Sequence, residues 1–164
     1  MTLSEYRTPR LWQPIGAETS ALWRADRTGL ERASGNFNAT RRDLARLGIV
    51  LANDGVRPDD PQRRQIIPRD FLLEATDWHR VPEAWQPGKA QRGSARGYGY
   101  QFWLVRSEKR RFAFIGVFGQ MMFVDPELKL VMAQTAADAV SHPAPLARDA
   151  LALWKGVVRQ YGSL

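Results

Sequence analysis

Met121, Met122, Phe123 and Val124 form a run in which every residue is apolar, with Gly119-Gln120 before it and Asp125-Pro126 after it. In an extended strand successive side chains point to opposite faces, so Met121 and Phe123 face one way and Met122 and Val124 the other. A strand that is apolar on both faces is buried on both. It needs a sheet with a covering layer on each side, and no other stretch constrains the fold as strongly.

The neighbouring sequence supplies the sheet. FAFIGV (112–117), GQMMFV (119–124) and LKLVMAQ (128–134) follow one another with only tight connections, which predicts an antiparallel meander. GYGYQFWLV (97–105) is aromatic and β-branched enough to predict one further strand ahead of them. Helices supply the layers. Leu146, Ala150, Leu153, Trp154, Val157, Val158 and Tyr161 recur at spacings of three and four, the pattern of a C-terminal helix with an apolar stripe. Thr40 is a good N-cap, with Asp43 in the first turn, for a helix from Arg41 to about Ala52 that presents Leu44, Leu47 and Leu51 and ends at Asn53-Asp54-Gly55. Pro68 suits the first position of a helix over 68–76 with Phe71, Leu72 and Ala75 facing inward. Pro9 breaks or kinks a helix over 3–12, Trp12-Gln13-Pro14-Ile15-Gly16 is a stop and tight turn, and 17–39 is an ordered loop with short strands. The expected organisation is one α+β domain: a mainly helical region (1–80), a Pro/Gly/Arg-rich loop (81–96), then antiparallel strands and a C-terminal helix (97–164).

Several function classes are excluded. The chain has 164 residues, is 44% hydrophobic and 25% charged, and so belongs with folded globular proteins. No apolar run approaches the length of a membrane span, and MTLSEYRTPR has no apolar stretch behind a basic region, so the default expectation is a cytoplasmic protein without a membrane partner. With no cysteine, and with His79 and His142 far apart, no metal site and no cofactor is expected. The net charge of +7 comes from basic pairs spread along the chain (Arg41-Arg42, Arg63-Arg64, Arg110-Arg111), which predicts solvated faces and no nucleic-acid partner.

Four words in order carry a family resemblance. Trp12-Gln13-Pro14-Ile15-Gly16, the stretch from Gly35-Asn36-Phe37-Asn38 through Thr40 to Gly48, Gly97-Tyr98-Gly99-Tyr100, and Gly116-Val117-Phe118-Gly119-Gln120 together resemble the serine β-lactamase-like superfamily, in its class C-like branch of amide and ester hydrolases. The resemblance implies a partial β-lactamase/transpeptidase-like fold and a small acyl substrate. It aligns the third motif of that family with Phe114-Ile115-Gly116, so that Phe114, Ile115, Gly116 and Phe118 form a wall of the substrate cleft. Val117 then offers its backbone N–H to an oxyanion hole, and Gly119 serves the turn that follows. The resemblance implies amide, ester or β-lactam-type acyl hydrolysis, and since neither Phe114 nor Ile115 is basic or hydroxylated, β-lactam recognition is the least supported of the three.

The nucleophile motif is missing. No serine has lysine three residues on: Ser4 is followed by Arg7, Ser20 by Trp23, Ser34 by Phe37, Ser94 by Gly97, Ser107 by Arg110 and Ser141 by Ala144. Arginine stays protonated and cannot replace the lysine base. No tyrosine has asparagine two residues on, and Ser34-Gly35-Asn36 falls in a loop where the family places no catalytic group. Asp59-Asp60 and Asp125 are expected to be turn residues, and His79 a candidate for the cleft rim. The expectation is therefore the C-terminal part of a serine hydrolase, beginning after its Ser-x-x-Lys and tyrosine motifs and inactive alone. The alternative is a non-catalytic binding or partner module on the same fold. In the family the strand equivalent to 128–134 pairs with an N-terminal strand, so self-association through that edge is expected.

Overall fold

The structure, a computed structural model, describes residues 1–80, 95–141 and 144–162. It opens with α1 (Leu3–Arg7), capped by reciprocal hydrogen bonds between Thr2 and Glu5. Pro9, which has no N–H, sits at the start of the wider π-helical turn Thr8–Trp12, and Gln13 N–H closes that turn on the Thr8 carbonyl at 2.9 Å. Two short strands follow, β1 (Leu22–Trp23) and β2 (Phe37–Asn38), paired antiparallel with Trp23 opposite Phe37. Trp12, Ile15 and Val50 are buried together beneath them, and the Arg7 guanidinium lies 4.0 Å from the centre of the Phe37 ring.

Helix α2 (Arg41–Ala52) starts where the cap signal predicts, with Thr40 accepting from the Asp43 N–H. It ends at Asn53, after which Asp54 (φ 53°) and Gly55 (φ +89°) turn the chain away. Leu51 is fully buried while Leu44 and Leu47 are half-buried. Helix α3 (Arg69–Thr76) buries Leu72, Leu73 and Ala75. Phe71, expected inward, is instead 41% exposed, because its ring meets Tyr100 edge-on at 5.5 Å at the rim of the core.

Five strands form one antiparallel sheet in the order β3 (Ala95–Gly99), β4 (Phe102–Val105), β5 (Phe112–Ile115), β6 (Met121–Asp125) and β7 (Leu130–Gln134). The meander is as expected, with one correction: 97–105 is two strands of a hairpin. Tyr100 (φ 50°) and Gln101 (φ 69°) both take the left-handed conformation of a two-residue hairpin turn, which folds the run back on itself. Of the expected loop at 81–96, residues 81–94 lie outside the described residues, and Ala95 already begins β3.

All five residues of β6 are buried. Met122 and Val124 pack with Leu51 and Ala52 of α2, Leu72 and Ala75 of α3, and Phe102, Leu104 and Phe112 of the sheet. Met121 and Phe123 meet the other layer, α4 (Ala144–Tyr161), through its Ala150, Trp154 and Val158. The Phe123 and Trp154 rings stack with centroids 5.6 Å apart. Each such side chain contributes about 1.5–3 kcal/mol of burial. The apolar stripe of α4 is narrower than its sequence pattern, since Leu153 and Tyr161 are exposed. Close packing also reaches α2, where a Cβ on Gly48 would stand 2.5 Å from Val131 Cγ1 of β7. Among the described residues no helix is long and apolar enough to cross a membrane.

Asp43 ties the first loop to α2. Its carboxylate is wholly buried and accepts from the Glu18 N–H at 2.9 Å, from the Thr19 hydroxyl at 2.5 Å and from the Thr40 hydroxyl at 2.9 Å, with Arg46 at 3.0 Å. Burial by itself would raise its pKa. The hydrogen bonds from Thr19, Glu18 and Thr40 outweigh burial and hold the carboxyl well below the usual carboxylate range. A depressed folded-state pKa stabilises the fold above the unfolded value of about 3.9, and that stability is lost as pH falls towards the folded value. Asp43→Asn is expected to lower the Tm at neutral pH and to flatten the acid side of the Tm–pH curve. A variant whose acid slope matches the parent's would show that Asp43 does not carry this dependence.

Candidate functional site

The β5–β6 connection builds the site from backbone. The ladder between the two strands runs to Ile115 opposite Met121, and the Gly116 N–H bonds to the Gln120 carbonyl at 2.8 Å just beyond it. Gly116, expected within a strand, thus lies one residue past β5. Val117–Gly119 then form a single 3-10 turn, with Phe118 at φ 62° and Gly119 at φ +92°. The Val117 N–H opens this turn and takes no part in the ladder.

Residues distant in sequence hold the turn in place. The Phe118 N–H donates to the Ser141 carbonyl, and the Phe118 carbonyl accepts from the Asp138 N–H, both at 3.1 Å. The Gln120 side chain donates to the Ala136 carbonyl at 2.9 Å, and Gln134 donates to the Gly119 carbonyl at 3.1 Å. Gly119 is needed twice over. Its φ is one that side chains rarely adopt, and a Cβ there would stand 2.3 Å from Leu146 of α4 and 3.0 Å from Ala136.

The proposed wall residues divide by exposure. Ile115, Val117 and Phe118 are 47%, 49% and 41% exposed and form a short apolar surface around Gly116. Phe114 instead turns into the core under α2 and α3, with its ring 4.8 Å from Phe102. The other candidates lie elsewhere. His79 is exposed, its ring 3.8 Å from Trp78 and its N–H on the Asp77 carboxylate. Asp59 pairs with Arg57, while Asp60 is buried against Arg64 and accepts from the Gln62 N–H, as a turn residue does. Tyr100 donates to the Glu74 carboxylate, which raises the phenol pKa. His142 lies outside the described residues. Among the described residues no three His, Asp or Glu side chains gather as a metal site.

Sequence reasoning missed the second role of Asp125. It does open a turn, accepting from the Glu127 and Leu128 N–H groups at 3.0 and 2.9 Å, but it is also fully buried and paired with Arg111 Nε at 2.6 Å. The adjacent strand pairing was the available signal, since Arg111 immediately precedes β5 and Asp125 ends β6.

This sheet, with helices on both faces and a glycine-bracketed turn at the end of β5, is the arrangement of a β-lactamase-type hydrolase. The sequence model of the Beta-lactamase family matches residues 2–153, and the chain belongs to that family. It is 25% identical over 148 residues to the 6-aminohexanoate-dimer hydrolase of Paenarthrobacter ureafaciens, a match covering 90% of this chain and 36% of that protein. A solved Bacillus anthracis structure assigned as a 6-aminohexanoate-dimer hydrolase superposes with a TM-score of 0.77 at 27% identity, covering 98% of this chain and 39% of the other. The chain thus spans well under half the length of these relatives.

Gly119→Ala adds a Cβ to a left-handed position against Leu146. It is expected to destabilise the fold by about 2 kcal/mol or more, read from urea unfolding. A change within a few tenths of a kcal/mol would contradict the tight turn described here.

Proposed function

We propose that residues 114–119 are one wall of an acyl-transfer site that hydrolyses a small amide or ester, with the Val117 backbone N–H as an oxyanion donor. The observation that carries this is the position of that N–H, outside the β5–β6 ladder on a half-exposed turn held by bonds to Ala136, Asp138 and Ser141. An oxyanion donor works by being fixed before charge develops, and removing one where it has been measured costs about 3–4 kcal/mol of barrier. Gly116 lets an acyl group approach the backbone, and Ile115, Val117 and Phe118 give it an apolar surface. The wall carries no cation at 114 or 115, which suits a linear amide or ester whose reacting part is uncharged. The two relatives named as 6-aminohexanoate-dimer hydrolases point to the same substrate class.

The 164 residues hold no Ser-x-x-Lys pair, so the wall and its donor lack an activated nucleophile. The chain alone is expected to leave p-nitrophenyl esters and linear amide dimers at the buffer rate, and no serine should react with a fluorophosphonate probe. A labelled serine would overturn this. The oxyanion assignment is tested separately by amide hydrogen exchange: Val117 should exchange much faster than Met122, and equal protection would remove it from the site.

A second reading, a partner module on the same fold, is favoured by β7. Among the described residues this strand pairs only with β6 and ends the sheet, while its Leu130, Val131 and Met132 are half-buried. Its outer edge is a template for another strand. The occupant favoured here is β7 of a second copy, paired antiparallel. Sedimentation is expected to show association that rises with concentration, and the outward amides of 130–134 should gain protection with it. A monomer at every concentration, with those amides unchanged, would rule it out.

A further inference from the structure

On the face of the sheet that carries α4 lies a cleft of about 180 Å³ unconnected with the turn at 116–119. Arg111, at one end of β5, lines the cleft, while Gly116 leaves the other end. At ~3.3 Å per strand residue the two places are roughly 15–20 Å apart. One part of the lining is apolar, from Val105 of β4 and Leu151, Trp154 and Val158 of α4. The rest is basic: Arg106, Arg111 and Lys155. Among the described residues no carboxylate lines the cleft.

Arg111 is the unusual group. Its side chain is 8% exposed, and it reaches buried Asp125 through a single bond, from Nε to Oδ2 at 2.6 Å. Asp125 Oδ1 is occupied by the Glu127 and Leu128 N–H groups. Arg111 Nη2 is therefore buried with no hydrogen-bond partner. An unmade bond at a buried polar group is destabilising, and more so when the group is charged. The charge of Arg111 is balanced by Asp125. Arg106 and Lys155 at the mouth are exposed and have no ion-pair partner among the described residues, so the cleft as a whole is cationic.

We propose that this cleft binds a small carboxylate with a short apolar chain. The carboxylate lies against the part of the Arg111 guanidinium that lines the cleft, flanked by Arg106 and Lys155, and the chain lies on Trp154 and Leu151. Arginine presents planar paired donors that match a carboxylate, and a site built this way favours the anion over a neutral isostere. The largely apolar surface of the lining favours a ligand with a carbon chain over a compact inorganic anion.

Pentanoate and its neutral counterpart pentanamide are the probes, titrated into the whole chain by calorimetry with tryptophan fluorescence as a second signal from Trp154. Pentanoate should bind saturably, and pentanamide and inorganic phosphate at least about tenfold more weakly. Arg106→Gln combined with Lys155→Gln changes two exposed side chains, leaves the fold intact and should weaken pentanoate by about tenfold. Arg111→Lys keeps a cation beside Asp125, removes the terminal nitrogens and should abolish binding. Should that variant fail to fold, the Arg106/Lys155 variant still decides. Pentanamide or phosphate binding as tightly as pentanoate, no saturable binding, or no response to the Arg106/Lys155 change would each overturn the proposal.

Discussion

The double burial of β6 is the constraint on which the remaining structure depends. Four consecutive apolar side chains cannot be hidden by one layer, so the sheet must be sandwiched. Met122 and Val124 are hidden by α2 and α3, Met121 and Phe123 by α4. Because β6 lies between β5 and β7, its backbone groups are paired on both sides as well. The strand is thus closed off in every direction except along its length. Two hydrogen-bonded features lie at its ends: the turn at 116–119 before it, tied to 134–141, and Asp125, its last residue, paired with Arg111 at the mouth of β5.

Much of this was legible in the sequence because the signals were local. Thr40 and Asp43 mark the start of α2 through a bond between neighbours, and the apolar run at 121–124 declares its two-sided burial without reference to anything else. The features that escaped were set by tertiary contact. The hairpin at Tyr100-Gln101 places two ordinary side chains in left-handed backbone, where Asn-Gly or Asp-Gly would have announced it. Phe71 lies on the rim because Tyr100, brought up by that unforeseen hairpin, meets it there. The stripe on α4 was overdrawn because periodicity reports which residues share a helix face but not how wide a surface the sheet offers.

The candidate site shows the same division. Glycines at 116 and 119 signalled a bare backbone, and the structure does turn the chain there. Their spacing could not show that Gly116 leaves the strand, nor that Phe114 turns inward while Ile115 and Phe118 stay exposed. Alternation along β5 decides the latter. Phe112 and Phe114 share the α2/α3 face and join one aromatic cluster with Phe102, which leaves Ile115 on the opposite face, where its exposure places it beside the turn.

The turn at 116–119 is also inseparable from the docking of α4, and this gives the turn its rigidity. A 3-10 turn of three residues has too few internal bonds to hold a left-handed Phe118 in place. The missing restraint comes from 134–141, which bonds to residues 118, 119 and 120 from one side, and from Leu146, which fills the space left by the absent Cβ of Gly119. Those residues connect β7 to α4, and α4 is in turn fixed by Trp154 stacked on Phe123 of β6. The strand that requires covering therefore positions the helix, the helix anchors its own entry segment, and that segment fixes the backbone N–H of Val117 relative to the sheet. A backbone N–H held this way is fixed in advance, and the oxyanion role proposed for Val117 depends on that fixity.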